Sequence, residues 1–208
     1  MSVEDPGDAP GAGMRCFLGI PITPVDALCR MTSKAEDRLR GYRLTRPAQW
    51  HVTLAFFPDL QPQLVEQIIE DCTPVLRVTP AFTAQICGFG AFPSPERAAV
   101  VWLRLEPARR FQEIWRVLRP CLPLTSEDSL TPHVTVARKS RNSRHRQDTA
   151  TVRDLCQKQW QPVSVEISEV VLYRSVPVSR GSEYQRLHVW SLAGGSHADE
   201  RTDGDRFV

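Results

Sequence analysis

A four-residue segment occurs twice in this chain, as His51-Val52-Thr53-Leu54 and as His133-Val134-Thr135-Val136, and the repeat constrains the architecture more than any other feature. Both copies are built from residues that suit a pleated, half-buried strand. Side chains alternate faces along a strand, so His51 and Thr53 share one face while Val52 and Leu54 take the other. His133 and Thr135 likewise oppose Val134 and Val136. Each copy therefore offers an apolar face to a core and a polar face carrying an imidazole and a hydroxyl. Pro47 and Pro132 lie just upstream, and proline suits the entry of a strand because it cannot donate to a ladder.

The 208 residues are enough for one domain or two small lobes with a real core. A net charge of +2 makes no global demand for nucleic acid or membrane, so any basic surface must be local. No apolar run approaches a bilayer-spanning length. The start, MSVEDPGDAPGAG, has neither the basic beginning nor the apolar stretch of a signal peptide, so the expected location is the cytoplasm. Cys16, Cys29, Cys72, Cys87, Cys121 and Cys156 are scattered without a CxxC and are expected to be reduced, mostly buried thiols. HExxH, a Gly-rich phosphate loop and GxGxxG are all missing.

Periodicity and punctuation predict the elements. Residues 1–13 read as disordered. A strand over 15–20 leads through Thr23 and Pro24 into a helix over 25–39. The first motif strand runs to Phe57. A helix over 60–73 follows, ended or kinked by Pro74. Next come a strand over 80–86, a Gly/Pro turn over 88–95 and a strand over 99–105, taken as the crossing between halves. A helix over 106–118 leads to the second motif strand, 132–139, and a basic run, 140–147. A helix over 149–159 and strands over 163–173 and 183–192 complete the folded part, and 193–208 reads as a disordered tail. Short strands mixed with helices, without strict βαβ alternation, predict α+β with antiparallel-rich sheets. A pseudo-twofold relation between the halves would set His51 and His133 across a cleft.

Two facing imidazoles suit general acid–base chemistry near neutral pH: a neutral one takes a proton from water and a protonated one gives a proton to a leaving oxygen. Two hydroxyls on the same faces would hold an anion between them. A phosphodiester meets those demands, and the scheme needs no metal; spacing suggests no further ligands beyond the two histidines.

The motif pair resembles the two-histidine (2H) phosphoesterase superfamily, and the flanks resemble its LigT-like RNA 2′,3′-cyclic phosphodiesterases, the 2′-5′ RNA ligase family. The similar segments are MRCFLGI (14–20), PAQWHVTLAF (47–56), GAFPSP (90–95), VWL (101–103), PHVTVAR (132–138) and VVLYRS (170–175), so the resemblance spans about residues 14–192. It implies a bilobal pseudo-twofold fold, with two antiparallel-rich sheets flanking a central cleft and helices outside, as a single catalytic domain over 14–192 with one motif in each half. It implies hydrolysis of a terminal RNA 2′,3′-cyclic phosphate to a 2′-phosphate, without a cofactor or metal. In that pattern His51 is the proton donor to the 3′ oxygen and His133 the base on water. Thr53 and Thr135 hold phosphate oxygens, and Arg138 neutralises phosphate charge. Some relatives also form 2′–5′ linkages. Trp50 replaces a usual aliphatic residue.

Trp50 and Tyr184 are the candidate base-stacking residues. Phe17, Phe56, Trp102 and Trp115 are assigned to the core. His188 is read as structural, sharing a strand face with Arg186 and Trp190. His145 sits in the basic run, read as solvated, and His197 in the tail. The partners are RNA 3′ ends bearing the cyclic phosphate, with no membrane, and a monomer is expected. Two other readings stay open: a module that binds RNA ends or nucleotides with little turnover, and a phosphodiesterase for small cyclic nucleotides.

Overall fold

A computed structural model describes residues 13–36, 38–124, 130–140, 149–179 and 181–195. The expected disordered start, most of the basic run with His145, and His197 lie outside them. Among the described residues the elements follow as β1 (Met14–Pro21), α1 (Asp26–Glu36), β2 (Tyr42–Leu44), β3 (His51–Leu60), α2 (Pro62–Arg77), β4 (Phe82–Phe92) and β5 (Val100–Glu106). They continue with α3 (Ala108–Leu118), β6 (His133–Lys139), α4 (Thr149–Gln157), β7 (Val163–Ile167), β8 (Glu169–Val178) and β9 (Gly181–Ser191). No helix among them is long and apolar enough to cross a membrane.

The fold is α+β. The strands pair antiparallel in the order β7-β4-β5-β6-β3-β1-β8-β9, with β2 added to β6. The motif strands β3 and β6 are central neighbours and pair at Val52↔Val134. The valine inside each motif thus joins two four-stranded arms, and the two expected sheets form one hydrogen-bonded path.

The arms are not the two halves of the chain. One contains β1, β3, β8 and β9; the other contains β4, β5, β6 and β7. The crossing expected at 99–105 is corrected, because β5 lies inside an arm between β4 and β6. The chain changes arms through α2 and again at Ser168, where the expected single strand over 163–173 is broken. The second edge of β1 is open to pairing, and the distant β8 takes it.

One large core covers the apolar face of both arms. Leu18, Val52, Leu103 and Val134 meet Leu28 of α1, Ile68 and Cys72 of α2, Phe111 of α3 and Leu155 of α4. The polar faces of the motifs are turned the other way. Pro74 lies inside α2 rather than ending it. It is exposed, so the Glu70 carbonyl that loses its N–H partner faces solvent. The expected loose tail is corrected at its start: Ala193 N–H donates to Thr79 O (2.8 Å) and Ala81 N–H to Ala193 O (2.9 Å).

Register shifts decide which side chains share the polar face; Cys87 is an extra residue in β4 and puts Gly90 and Phe92 there, and β6, β3 and β9 carry others. Pairing jumps between Val101↔Ala137 and Trp102↔Thr135, so Val136 is an extra residue in β6. An extra residue reverses the facing of everything beyond it. Val136 and Ala137 are accordingly both buried, at 4% and 0% exposure, and Arg138 emerges on the face of Thr135. Leu54 does the same in β3, placing Phe56 on the face of Thr53. Leu187 does it in β9, where Arg186 pairs with Tyr173 but His188 pairs with Leu172. His188 and Trp190 therefore face the core side and Arg186 the polar side, which corrects the expectation of a shared face.

Candidate active site

The polar face gathers on the strands around the Val52↔Val134 joint. On β3 it carries His51 and Thr53, opposite Pro21 and Gly19 of β1. On β6 it carries His133, Thr135 and Arg138, opposite Arg104, Trp102 and Val100 of β5. All four motif side chains are half-buried.

The two histidines are held alike. His51 Nδ1 lies 2.7 Å from the carbonyl of Gln49, and His133 Nδ1 lies 2.8 Å from the carbonyl of Thr131. A carbonyl only accepts, so Nδ1 carries the hydrogen in both rings. This fixes the tautomer and leaves Nε2 of each as the nitrogen available for proton exchange. Each ring also rests on a phenylalanine. Phe17 lies 4.7 Å from His51 between centroids, and Phe92 meets His133 edge-on at 5.0 Å. Trp102 stacks on Phe92 at 5.0 Å and approaches His133 at 5.9 Å.

Burial holds the His51 imidazole below the ordinary histidine value, and the charges of Arg138 and His133 push the same way while the Gln49 hydrogen bond opposes them. Burial also lowers His133, again with Arg138 acting in the same direction and the Thr131 hydrogen bond against it. Both rings are therefore neutral at pH 7 in the free protein. Arg138 is the cation felt by both, which places the guanidinium at the site although its side chain is exposed.

Two adjoining cavities lie at the site: His51 lines the first, and the second shares Arg46, Gln49, Glu183 and Tyr184 with it. One of about 610 Å³ is lined by His51, Tyr173, Tyr184, Glu166, Glu169 and Arg186, among others. Tyr184 meets His51 edge-on at 5.4 Å and Phe17 at 4.9 Å. Arg186 forms an ion pair with Glu169, and its charge opposes the burial that raises the Tyr173 hydroxyl above its ordinary value. The second cavity, of about 780 Å³, is lined by Arg43, Arg46, Gln49, Arg138, Ser182 and Tyr184, among others. Gln49 Nε2 donates to Ser182 O at 2.7 Å, tying the segment before β3 to β9. Among the described residues, no group of three or more His, Cys, Asp or Glu side chains is placed to hold a metal ion.

The structure thus brings His51, Thr53, His133, Thr135, Arg138 and Tyr184 together. Trp50 is corrected: it is 4% exposed, within the core. It stands one residue before His51, so alternation sends its ring to the face of Val52 and Leu54. Phe17 and Trp102 are also corrected, because they support the histidines on the polar face rather than filling the main core. Phe56 is 42% exposed, with Arg15 over its ring at 4.7 Å, whereas Trp115 packs against the core as expected. The Gly/Pro pattern over 88–95 predicts a turn at Phe92. The residue's place on β4 follows from continued pairing through Gly90↔Trp102 and Phe92↔Val100. The carbonyls of Gln49 and Thr131 had no side-chain signal, although both lie two residues before a motif histidine.

The 2′-5′ RNA ligase superfamily model matches residues 24–177. The RNA 2′,3′-cyclic phosphodiesterase of Methanothermobacter thermautotrophicus is 28% identical over 186 residues, covering 86% of this chain and 99% of that protein. The protein of the same description from Thermotoga maritima is 25% identical, covering 88% and 97%. Among solved structures, TT0787 of Thermus thermophilus matches with a TM-score of 0.67 at 21% identity, covering 88% of this chain and 100% of that one. E. coli LigT complexed with 3′-AMP matches with a TM-score of 0.66 at 19% identity, covering 87% and 99%. The two structural matches show a shared fold.

Proposed function

The chain belongs to the 2′-5′ RNA ligase superfamily, and from that membership we propose that it hydrolyses the terminal 2′,3′-cyclic phosphate of RNA to a 2′-phosphate by two-histidine acid–base catalysis. The observation that carries the reading is the matched anchoring of His51 and His133, each with Nδ1–H given to a carbonyl and Nε2 left for proton exchange. Relatives described as RNA 2′,3′-cyclic phosphodiesterases over nearly their whole length support the same substrate.

In this reading neutral His133 Nε2 takes a proton from water as the water oxygen attacks phosphorus. The bond from phosphorus to the 3′ oxygen breaks, and protonated His51 Nε2 gives that oxygen its proton. The 2′ ester bond stays intact. His51 ends neutral and His133 protonated, and exchange with solvent restores the starting forms. Each such transfer contributes about 10²- to 10⁴-fold. Thr53 and Thr135 donate to the non-bridging oxygens, and Arg138 offsets their charge. A bound phosphate anion raises the histidine pKa values, restoring the protonated acid that burial disfavours in the free protein. With a 5′-hydroxyl in place of water, the same transfers form a 2′–5′ linkage.

Residues 14–192 form the working unit in this proposal, as a monomer in the cytoplasm, where the six free cysteines stay reduced. The test is product analysis with an oligoribonucleotide ending in a 2′,3′-cyclic phosphate, in EDTA, beside His51→Ala and His133→Ala. A 2′-phosphate end, lost in both variants, is expected. A 3′-phosphate end refutes the assignment of acid and base. Tight binding without turnover supports a binding module, and turnover confined to mononucleotides supports a small-molecule phosphodiesterase.

A further inference from the structure

The two adjoining cavities, one lined by His51 and the other by Arg138, differ in charge. The smaller has Glu166, Glu169 and Glu183 on its wall with Arg46 and Arg186, and Arg186 is already committed to Glu169. The larger carries Arg43, Arg46 and Arg138, with Glu183 as its one carboxylate among the described residues. None of these three arginines has a carboxylate within 4.0 Å among the described residues, and all three are exposed.

Their placement is costly for the fold alone. Arg43 of β2 sits directly opposite Arg138 of β6 in the antiparallel register. Like charges in that relation destabilise a sheet, and strand neighbours are only about 4.8 Å apart. The pair sits where Arg138 already acts on both histidines. The opposite wall is brought close by Gly181, whose φ of +126° is open to glycine and strained for other residues. A Cβ there would stand 3.4 Å from Arg43 Nη1, so turn and guanidinium are already in contact range.

We infer that this arginine groove binds the phosphate backbone of the RNA strand leading to the cyclic end, so that the substrate is an oligonucleotide entering past Arg43 and Arg46. This rests on the proposed activity. The charge difference sets the polarity: the terminal nucleoside takes the side of Tyr173, Tyr184 and Glu169, while the 5′ strand leaves through the groove. Arg43 and Arg46 thereby determine chain-length preference, and the repulsion between Arg43 and Arg138 is relieved by the anion.

The test compares a mononucleoside 2′,3′-cyclic phosphate with an eight-nucleotide RNA ending in the same group, using the full chain, Arg43→Gln, Arg43→Lys and Arg43→Gln/Arg46→Gln. kcat/KM is measured for both, and binding of a fluorescent octamer with a 2′-phosphate end is followed by anisotropy from 50 to 200 mM KCl. Three phosphate contacts give a slope of log affinity on log salt of about −2, a loss of about 20-fold over that range, and each arginine removed takes away about 0.7 of slope. The double variant therefore loses about 3-fold over the same range, and its octamer-to-mononucleotide preference collapses. Arg43→Lys keeps the slope, and Arg43→Gln melts at or above the wild-type temperature. An unchanged slope in the double variant overturns the inference. So does an equal loss of kcat/KM on both substrates, or a lower melting temperature for Arg43→Gln. Absence of turnover on either substrate refutes the proposed activity, and the anisotropy slopes then decide the groove by themselves.

Discussion

Gly90→Ala tests whether the rings around His133 are a close-fitting support. Gly90 lies on β4 directly across from Trp102 of β5. A Cβ added there would fall 2.4, 2.5 and 2.7 Å from three atoms of the Trp102 indole. Ordinary contact begins at 3.4 Å, so the indole must retreat by close to 1 Å. Its retreat is closed by Phe92, stacked at 5.0 Å, and by His133 at 5.9 Å. Overpacking of this kind costs about 1–3 kcal/mol, while replacing glycine recovers about 0.4–1 kcal/mol from the unfolded chain. The net loss is about 1–2 kcal/mol, or ~2–8 °C in melting temperature for a chain of this size. A displacement of about 1 Å passed to His133 lowers kcat by about 10²-fold. Gly19→Ala is the companion, because its Cβ would meet only the Phe17 ring at 3.2 Å and His51 Cδ2 at 3.4 Å. It is expected to cost under about 1 kcal/mol, since those neighbours need to yield only slightly. The assays are thermal melting and turnover of the RNA cyclic phosphate. Wild-type melting and full kcat in Gly90→Ala, or a larger defect in Gly19→Ala, refutes the argument.

Three further outcomes are expected. Because burial and Arg138 lower both imidazoles, the bell of kcat/KM against pH is centred on the acid side of 6.5, and Arg138→Gln moves both limbs to higher pH, as a pH–rate profile will reveal. For stability, both histidines bind protons less readily folded than unfolded. Their contribution is complete above about pH 6.5 and is lost as pH falls through the lowered folded values, so melting temperature drops between pH 7 and 5, less steeply in His51→Gln/His133→Gln. Thr53→Val and Thr135→Val each reduce kcat by about 10²-fold through one lost donor while leaving the melting temperature nearly unchanged, since valine suits both strands; circular dichroism beside turnover separates the two effects.

Much of the site was legible because it is written in strand periodicity. His-x-Thr puts imidazole and hydroxyl on one face whatever the rest of the chain does, and the valine between them is bound to point inward. The same alternation, carried one residue back from His51, sends Trp50 to the core. Arg138 is different. It stands three residues after Thr135, and alternation alone sends it to the wrong face. Only the extra residue Val136, visible in pairing to β5, returns it to the histidines. His188 departs from simple alternation for the same reason, through the extra residue Leu187 in β9. The segment 88–95 read as a turn because its glycines and prolines are usual turn formers, yet Gly88 and Gly90 lie within a strand and leave room for Trp160 and Trp102.

By itself the sequence determined the α+β class, the two polar strand faces, the four side chains of the dyad and its hydroxyls, and the general order of the elements. These follow from patterns within a few residues of one another, where φ/ψ preference and side-chain alternation act. Tertiary structure alone decided that the motif strands meet at Val52 and Val134, that the lobes interleave along the chain, and that Arg43 stands against Arg138. Those facts depend on which strand edges pair across long separations and on single extra residues that reverse a face, and neither is encoded in local spacing.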